Sequence, residues 1–292
     1  MKRAQKENLI KGFFCLFALL SIFFLLGIVI VLFKEGLPIF KVTTFKEFLF
    51  GRFWYPTYEP PDFGILPLLL GSLWVTFGAL IVAVPLGVAG AFYISEVASP
   101  KKKEFIKPVI ELLAGIPSVV YGFFGMVVVA PLVAKIFRLP VGLNAFTASL
   151  ILGIMAIPTI TSISEDAISA VPKRFKEASY ALGANKWETI TKVTLPAAAG
   201  GISTAIILGM ARVIGETMTV LMVAGGAPII PHSFFEPLRT MTATIAAEMG
   251  ETVVGSLHFH ALFAIAIVLF VITLSFNILA DLLTQRFRKR LG

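Results

Sequence analysis

Residues 12–33 run for 22 positions without a charged side chain, and no other feature of the chain restricts its fold as severely. Wound as a helix at 1.5 Å per residue, the run extends about 33 Å, enough to cross the ~30 Å hydrocarbon core of a bilayer. Five more uncharged stretches follow. Together they predict an all-α polytopic membrane protein with six transmembrane helices, over about 12–33, 71–94, 112–134, 143–165, 196–224 and 261–282. The second stretch, 63–94, is 32 residues long, more than one crossing needs. Pro67 lies early in it and Pro85 within it, so FGILPLL reads as an interfacial start, and Pro85 as a candidate kink in the span. Basic residues ahead of the first run give it some likeness to a signal peptide, but it is too long for one and lacks a small-residue cleavage site. Residues 1–11 are therefore expected as a cytoplasmic amino terminus and 12–292 as one transmembrane domain.

Composition agrees: 57% of the residues are hydrophobic and 14% charged, where soluble domains carry about 25% charged. A net charge of +8 invites a nucleic-acid reading, which the placement of the charges excludes. Lys2, Arg3, Lys6 and Lys11 precede the first span, and Lys101, Lys102, Lys103 and Lys107 fall between the second and third. Lys173, Arg174, Lys176, Lys186 and Lys192 lie between the fourth and fifth, and Arg286, Arg288, Lys289 and Arg290 follow the sixth. Basic residues gathered in alternate connections mark those connections as cytoplasmic, so both termini are expected inside. Cys15 is the one cysteine, so no intrachain disulfide and no cysteine-rich metal site is available. His232, His258 and His260 offer an H-x-H without an obvious third ligand and read as ordinary loop histidines.

The connections differ in character. The external stretch 34–62 is crowded with Phe40, Phe45, Phe48, Phe50, Phe53, Trp54, Tyr55 and Tyr58, expected as headgroup anchors, or else as a platform for an external partner. In the third span, GIPSVVYGFFG interrupts its own hydrogen-bond ladder at Pro117 and leaves backbone open at Gly115, Gly122 and Gly125. Such backbone at membrane depth must be buried in protein or face water; the alternatives are close helix packing through small residues and a pathway lining in which Ser118 and Tyr121 offer hydroxyls. Glu165 and Asp166 end the fourth span and read as solvated acids, with an inner vestibule as the alternative.

Two stretches carry candidate chemistry. EASYALGANKWETITKVTLP, Glu177 to Pro196 within the loop 171–195, is too polar for a bilayer. It contains two short amphipathic patterns around Gly183, a residue suited to closing a helix, and then Pro196, expected as a stop before the fifth span. In the fifth span, ARVIGETM places Arg212 and Glu216 four apart, on one helix face. Arg212 lies about 24 Å along the helix from Pro196, deep enough that both groups should face protein or a watery cavity. An intrahelical ion pair is one reading. The other is a substrate path, in which the planar donors of Arg212 match a tetrahedral oxyanion and Glu216 either holds Arg212 or accepts the proton that hydrogen phosphate carries and sulfate does not.

The spacing Glu177, Ala178, Ser179, Gly183, Val193, Leu195, Pro196 resembles the EAA loop of ABC importer permeases, with Ser179 and Val193 as mild variants. GIPSVVYGFFG, ARVIGETM and the external WYPTYEPPDFGILPLLLGSLWVTF resemble the phosphate importers of that family, more the PstC-type than the PstA-type subunit, over nearly the whole chain. The resemblance implies a type I importer fold and a cytoplasmic coupling helix. Its ATPase-coupling residues would be Glu177, Ala178, Ser179, Gly183, Leu195 and Pro196, and its substrate-path residues Arg212, Glu216, Ser118 and Tyr121. It also implies partners: a PstA-like second permease subunit forming a heterodimer, a PstB-like ATPase dimer and a PstS-like external phosphate-binding protein. The chain contains no Gly-Lys dipeptide and hence no P-loop, so ATP would be used by the partner, with no cofactor here. The nearest alternative cargo is sulfate or molybdate. A secondary transporter would give the polar island no reason for its spacing, and a membrane enzyme would need a nucleophile that the Arg212–Glu216 stretch does not supply.

Overall fold

A computed structural model of the chain describes residues 3–291, with side chains described over 10–283 and at 285. The terminal side chains of Lys2, Arg3, Lys6, Arg286, Arg288, Lys289 and Arg290 lie outside the described set. Among the described residues, six stretches are long and apolar enough to cross a membrane: Ile10–Lys41, Leu66–Val97, Ser118–Phe137, Ala145–Ser169, Lys186–Ile214 and Leu257–Leu283.

In chain order, α1 (Arg3–Gly36) leads through a 3-10 turn to α2 (Phe45–Phe50). Thr44 starts α2 through a capping box with Glu47, which satisfies two N–H groups that a short helix otherwise leaves open. A hairpin of β1 (Trp54–Tyr55) and β2 (Asp62–Phe63) pairs antiparallel, Trp54 opposite Phe63. Then come α3 (Leu66–Phe92), α4 (Pro100–Ala114), α5 (Ser118–Phe124), α6 (Ala130–Phe137) and α7 (Ala145–Ser169). They are followed by α8 (Lys173–Ala181), α9 (Lys186–Thr189), α10 (Leu195–Ile214), α11 (Met218–Val223), α12 (Met241–Glu248) and α13 (Leu257–Leu291).

The centre is the pair α3 and α7. Val75, Ala79, Ala83, Ala148, Leu152, Met155, Ala156 and Ile160 are buried there. Small residues let the backbones approach, as is usual where lipid cannot drive helices together hydrophobically. A Cβ placed on Gly153 would stand 2.9 Å from the Val82 side chain and 3.0 Å from the Ala79 carbonyl oxygen. Ser149 Oγ donates to Val75 O at 3.3 Å and Thr161 Oγ1 to Gly87 O at 3.1 Å, so hydroxyls tie the same two helices. Helix α3 starts at Leu66 rather than Gly71 and runs on through Pro85. Pro67 occupies its first turn, where a missing N–H costs nothing.

Three expectations are corrected here. The stretch 112–134 is not one helix: α4 ends at Ala114 and α5 begins at Ser118, because Pro117 holds Ile116 out of the helical region. The stretch 196–224 divides into α10 and α11 at Gly215–Thr217. Pro196 is no stop. A π-helical turn over Ile190–Thr194 joins α9 to α10, and its wider ring accommodates the proline, whose side chain would otherwise strike the carbonyl of Lys192. A second π-turn, Gly125–Val129, precedes Pro131 in the same way.

The aromatic connection is also partly core. Phe48 and Trp54 are buried with Ile39, Ile65, Leu68, Met241 and Leu262, while Phe45, Phe50, Phe53 and Tyr58 are exposed as anchors would be. Replacing Gly153 by Leu should overpack the α3–α7 contact at a cost of about 1–3 kcal/mol. The expected result is a lower melting temperature and less monodisperse protein in detergent, read by fluorescence-detected size exclusion.

Candidate functional site

The two helix breaks lie against each other. Every carbonyl released where a helix stops at membrane depth needs a donor from the protein, and the donors here come from the candidate residues. Tyr121 Oη donates across the first break to Leu113 O at 3.0 Å, and Arg212 Nη2 approaches Ala114 O at 3.5 Å. Both carbonyls belong to the last turn of α4, the negative end of a helix, where a guanidinium is favoured. Arg212 Nη1 also donates to Thr159 Oγ1 of α7 at 3.1 Å. At the second break Thr242 Oγ1 donates to Glu216 O at 2.7 Å. Thr219 Oγ1 closes the arrangement by donating to Ser118 O at 3.0 Å.

Arg212 of α10 is thus brought to the break beside which Tyr121 and Ser118 of α5 stand. Glu216 is not the partner of Arg212. Helix α10 ends at Ile214, so the four-residue spacing no longer places the two on one face, and Glu216 Oε1 instead accepts from the Thr217 N–H at 3.1 Å. Arg212 remains an exposed cation on this chain. The roles of Tyr121 and Ser118 also change: the Tyr121 hydroxyl is committed to a carbonyl, and Ser118 contributes its own carbonyl. Thr159 went unnoticed in the sequence, although the IPTITS string that holds it offers hydroxyls in an otherwise apolar span.

The polar island folds as a stapled hairpin. Helix α8 ends in a Schellman motif, with Ala184 N–H bonded to Ser179 O at 3.2 Å and Gly183 N–H to Tyr180 O at 2.9 Å. The motif requires a left-handed residue, and Gly183 has φ +83°. Asn185 and Glu188 form a capping box that starts α9. Ser179 is buried and shares a 2.9 Å hydrogen bond with Thr189, so it braces the hairpin from within. Glu177, Ala178, Gly183, Leu195 and Pro196 are exposed. The tip presents Leu182 at 89% exposure and Trp187 at 71%, two apolar side chains that spacing alone did not single out.

Glu165 corrects a further expectation. It is 2% exposed, not solvated, and receives Lys103 Nζ at 2.5 Å and Lys107 Nζ at 2.8 Å. That carboxylate, and after it Asp166, hold the Lys107 ammonium above the usual lysine range. At the aromatic end Glu248 gathers three donors: Trp54 Nε1 at 3.1 Å, Arg239 Nη1 at 2.6 Å and His258 Nε2 at 2.8 Å. They flank a cavity of about 540 Å³. His260 Nδ1 lies 2.7 Å from Glu35 O. His258 and His260 are therefore not loop residues: they stand in the first turn of α13 and tie it to α12 and to the end of α1.

Residues 83–289 match the family described as "Binding-protein-dependent transport system inner membrane component". The chain is 42% identical over 271 residues to a probable ABC transporter permease protein, YqgH, of Bacillus subtilis, covering 92% of this chain and 88% of that protein. To the phosphate transport system permease protein PstC of Mesorhizobium japonicum it is 35% identical over 294 residues, covering 94% and 89%. The corresponding protein of Haemophilus influenzae is 33% identical over 309 residues, covering 98% and 95%. Among solved structures, a bacterial alginate ABC transporter in complex with its alginate-bound periplasmic protein matches with a TM-score of 0.65 at 16% identity, over 98% of this chain and 96% of that one. An inward-facing MetNI methionine transporter matches at 0.55 and 18%, over 77% and 94%. At such identities the solved structures establish the fold.

The hairpin geometry gives a local prediction. Gly183 has open space around the position of a Cβ, so only its backbone conformation resists substitution. Gly183→Ala should cost about 1–2 kcal/mol, and Gly183→Asn less because asparagine visits the left-handed region. Hydrogen exchange over 173–189 should rise modestly in Gly183→Asn and further in Gly183→Ala.

Proposed function

The chain belongs to the family of binding-protein-dependent transport inner membrane components, and from that membership we propose that it is the PstC-type permease subunit of an ATP-driven phosphate importer. The observation that carries the mechanism is continuity. From Lys186 the chain is helical without a break through α9, the π-turn and α10 to Ile214, and Arg212 stands in the last turn. A displacement of the hairpin is therefore delivered along one rigid rod to the helix break.

The hairpin lies on the cytoplasmic side, as do both termini, in keeping with the basic residues of alternate connections. Leu182 and Trp187 enter the groove of a PstB-like ATPase dimer, and the Schellman turn holds them at a fixed spacing. Hydrolysis by that partner supplies the energy, since this chain has no P-loop. A PstA-like permease covers the face on which Arg212 is exposed. The two breaks then line a water-filled path between the subunits, where a charge at membrane depth is tolerated. A PstS-like protein delivers phosphate at the aromatic end.

Within the path Arg212 acts on the anion. Its guanidinium is anchored by Thr159 and Ala114 O and keeps planar donors for a tetrahedral oxyanion. Glu216, released from pairing with Arg212, is the group placed to take the proton of hydrogen phosphate. Tyr121 and Ser118 keep the break open in the shape that Arg212 needs.

Two tests separate docking from passage. Leu182→Glu together with Trp187→Ala should release the ATPase on co-purification while six spans remain inserted; full retention contradicts the docking role. Arg212→Ala should leave the complex assembled and lower phosphate uptake by about tenfold or more, the loss expected for a charge-assisted hydrogen bond. Arg212→Lys should also impair uptake, and unchanged uptake in both variants removes Arg212 from the path.

A further inference from the structure

Helix α4 is attached to the bundle in an unusual way. None of its residues is fully buried, Phe105 and Leu112 are each 73% exposed, and Ile106 and Ile110 are only half-buried, so apolar packing holds it weakly. Its length adds a constraint. Ser118–Phe137 suffices for the third crossing, and the further ~22 Å of α4 would overrun the bilayer if stacked on it. Its first turns carry Lys101, Lys102, Lys103 and Lys107, while its last turn reaches the break beside Arg212, so the helix can swing about that break unless something pins it.

The pin is Glu165. Both of its carboxylate oxygens are occupied: Oε1 accepts from Lys103 Nζ at 2.5 Å and from Ser169 Oγ at 2.7 Å, and Oε2 from Lys107 Nζ at 2.8 Å. Lys107 also reaches Asp166 Oδ1 at 3.0 Å. Two ammonium groups one helical turn apart on α4 thus meet a single buried acid on α7, which fixes the rotation of α4 as well as its distance. Attachment through charge in a buried site is directional and intolerant of losing one partner, unlike apolar contact, which allows sliding.

The same cluster reaches the hairpin. Ser169 Oγ lies 3.2 Å from Ser95 Oγ in the π-helical turn Tyr93–Val97 that ends α3. Next to it, Glu96, with its side chain 9% exposed, meets Lys176 of α8 at 2.5 Å. At the other end of α4 stand Leu113 O and Ala114 O, the acceptors of Tyr121 and Arg212. A polar chain therefore leads from α8 through Glu96 and the Ser95–Ser169 contact to Glu165, then along α4 to the carbonyl against which Arg212 rests.

We propose that Glu165 is a positioning residue for transport. It locks α4 to α7, so that movement of the hairpin carries the Ala114 carbonyl, and with it the seat of the Arg212 guanidinium, as one rigid piece. The proposal rests on the coupled-transport reading above and adds a second mechanical route beside α10. Its readout is the ATP hydrolysed per phosphate imported by the reconstituted complex. Glu165→Gln should keep the ATPase bound and hydrolysing while that ratio rises at least about fivefold, the lower end for a coupling free energy between sites. The exchanged variant Glu165→Lys, Lys103→Glu, Lys107→Glu should bring the ratio back towards wild type. A wild-type ratio in Glu165→Gln overturns the proposal.

A second measurement does not depend on the folding of these variants. In the otherwise native complex carrying Cys15→Ser, spin labels at Lys102 on α4 and Ala170 at the end of α7 should keep one distance with and without bound ATP. A distance that changes between the two states overturns the rigid connection. Failure of the wild-type complex to import phosphate on ATP would instead count against the transport reading, and it shows before any variant is compared.

Discussion

A hydrocarbon interior offers no water to a backbone that leaves its helix, so each freed carbonyl must find a donor in the protein or face a water-filled cavity. That requirement organises this molecule. Helix α4 stops at Ala114 and α10 at Ile214, and the groups exposed by the two stops are met by Tyr121, Arg212, Thr242 and Thr219. The polar side chains that serve as donors are the same ones that give the apolar bundle chemistry at depth. A continuous helix at either place would need no such donors and would leave Arg212 an unexplained expense.

Much of this was legible in the sequence, because bilayer thickness converts an uncharged run into a span. Gly115 and Pro117 announced the first break for the same reason: proline restricts the residue before it. The second break was hidden. Arg212 and Glu216 four apart looked like one helix face, and Gly215 between them carried no signal that it would end the helix. Pro196 misled in the opposite direction, since a π-turn five residues long absorbs what sequence rules treat as a stop. The partners of Glu165 and of Trp54 are 58 to 194 positions away in sequence. Long-range polar pairing of that kind leaves no periodic trace, so a buried acid read as a solvated one.

On the reading proposed above, these features combine into a converter of motion. The hairpin carries its apolar tip on a turn that only Gly183 closes without strain, and from it one uninterrupted helical path leads to the cation at the break. The small residues between α3 and α7 pack that part of the bundle closely. The sequence holds no Gly-Lys dipeptide and hence no P-loop. On the same proposed reading, the hairpin is the handle by which an external motor moves a membrane-embedded gate.

The central claim is that energy enters only through the hairpin, from ATP. The most direct measurement is phosphate accumulation in vesicles holding the complete complex with its external binding protein, with ATP inside or with an imposed proton or sodium gradient alone. Accumulation that requires ATP and ignores the gradients is the predicted result. Uptake driven by an ion gradient in vesicles lacking ATP would contradict it.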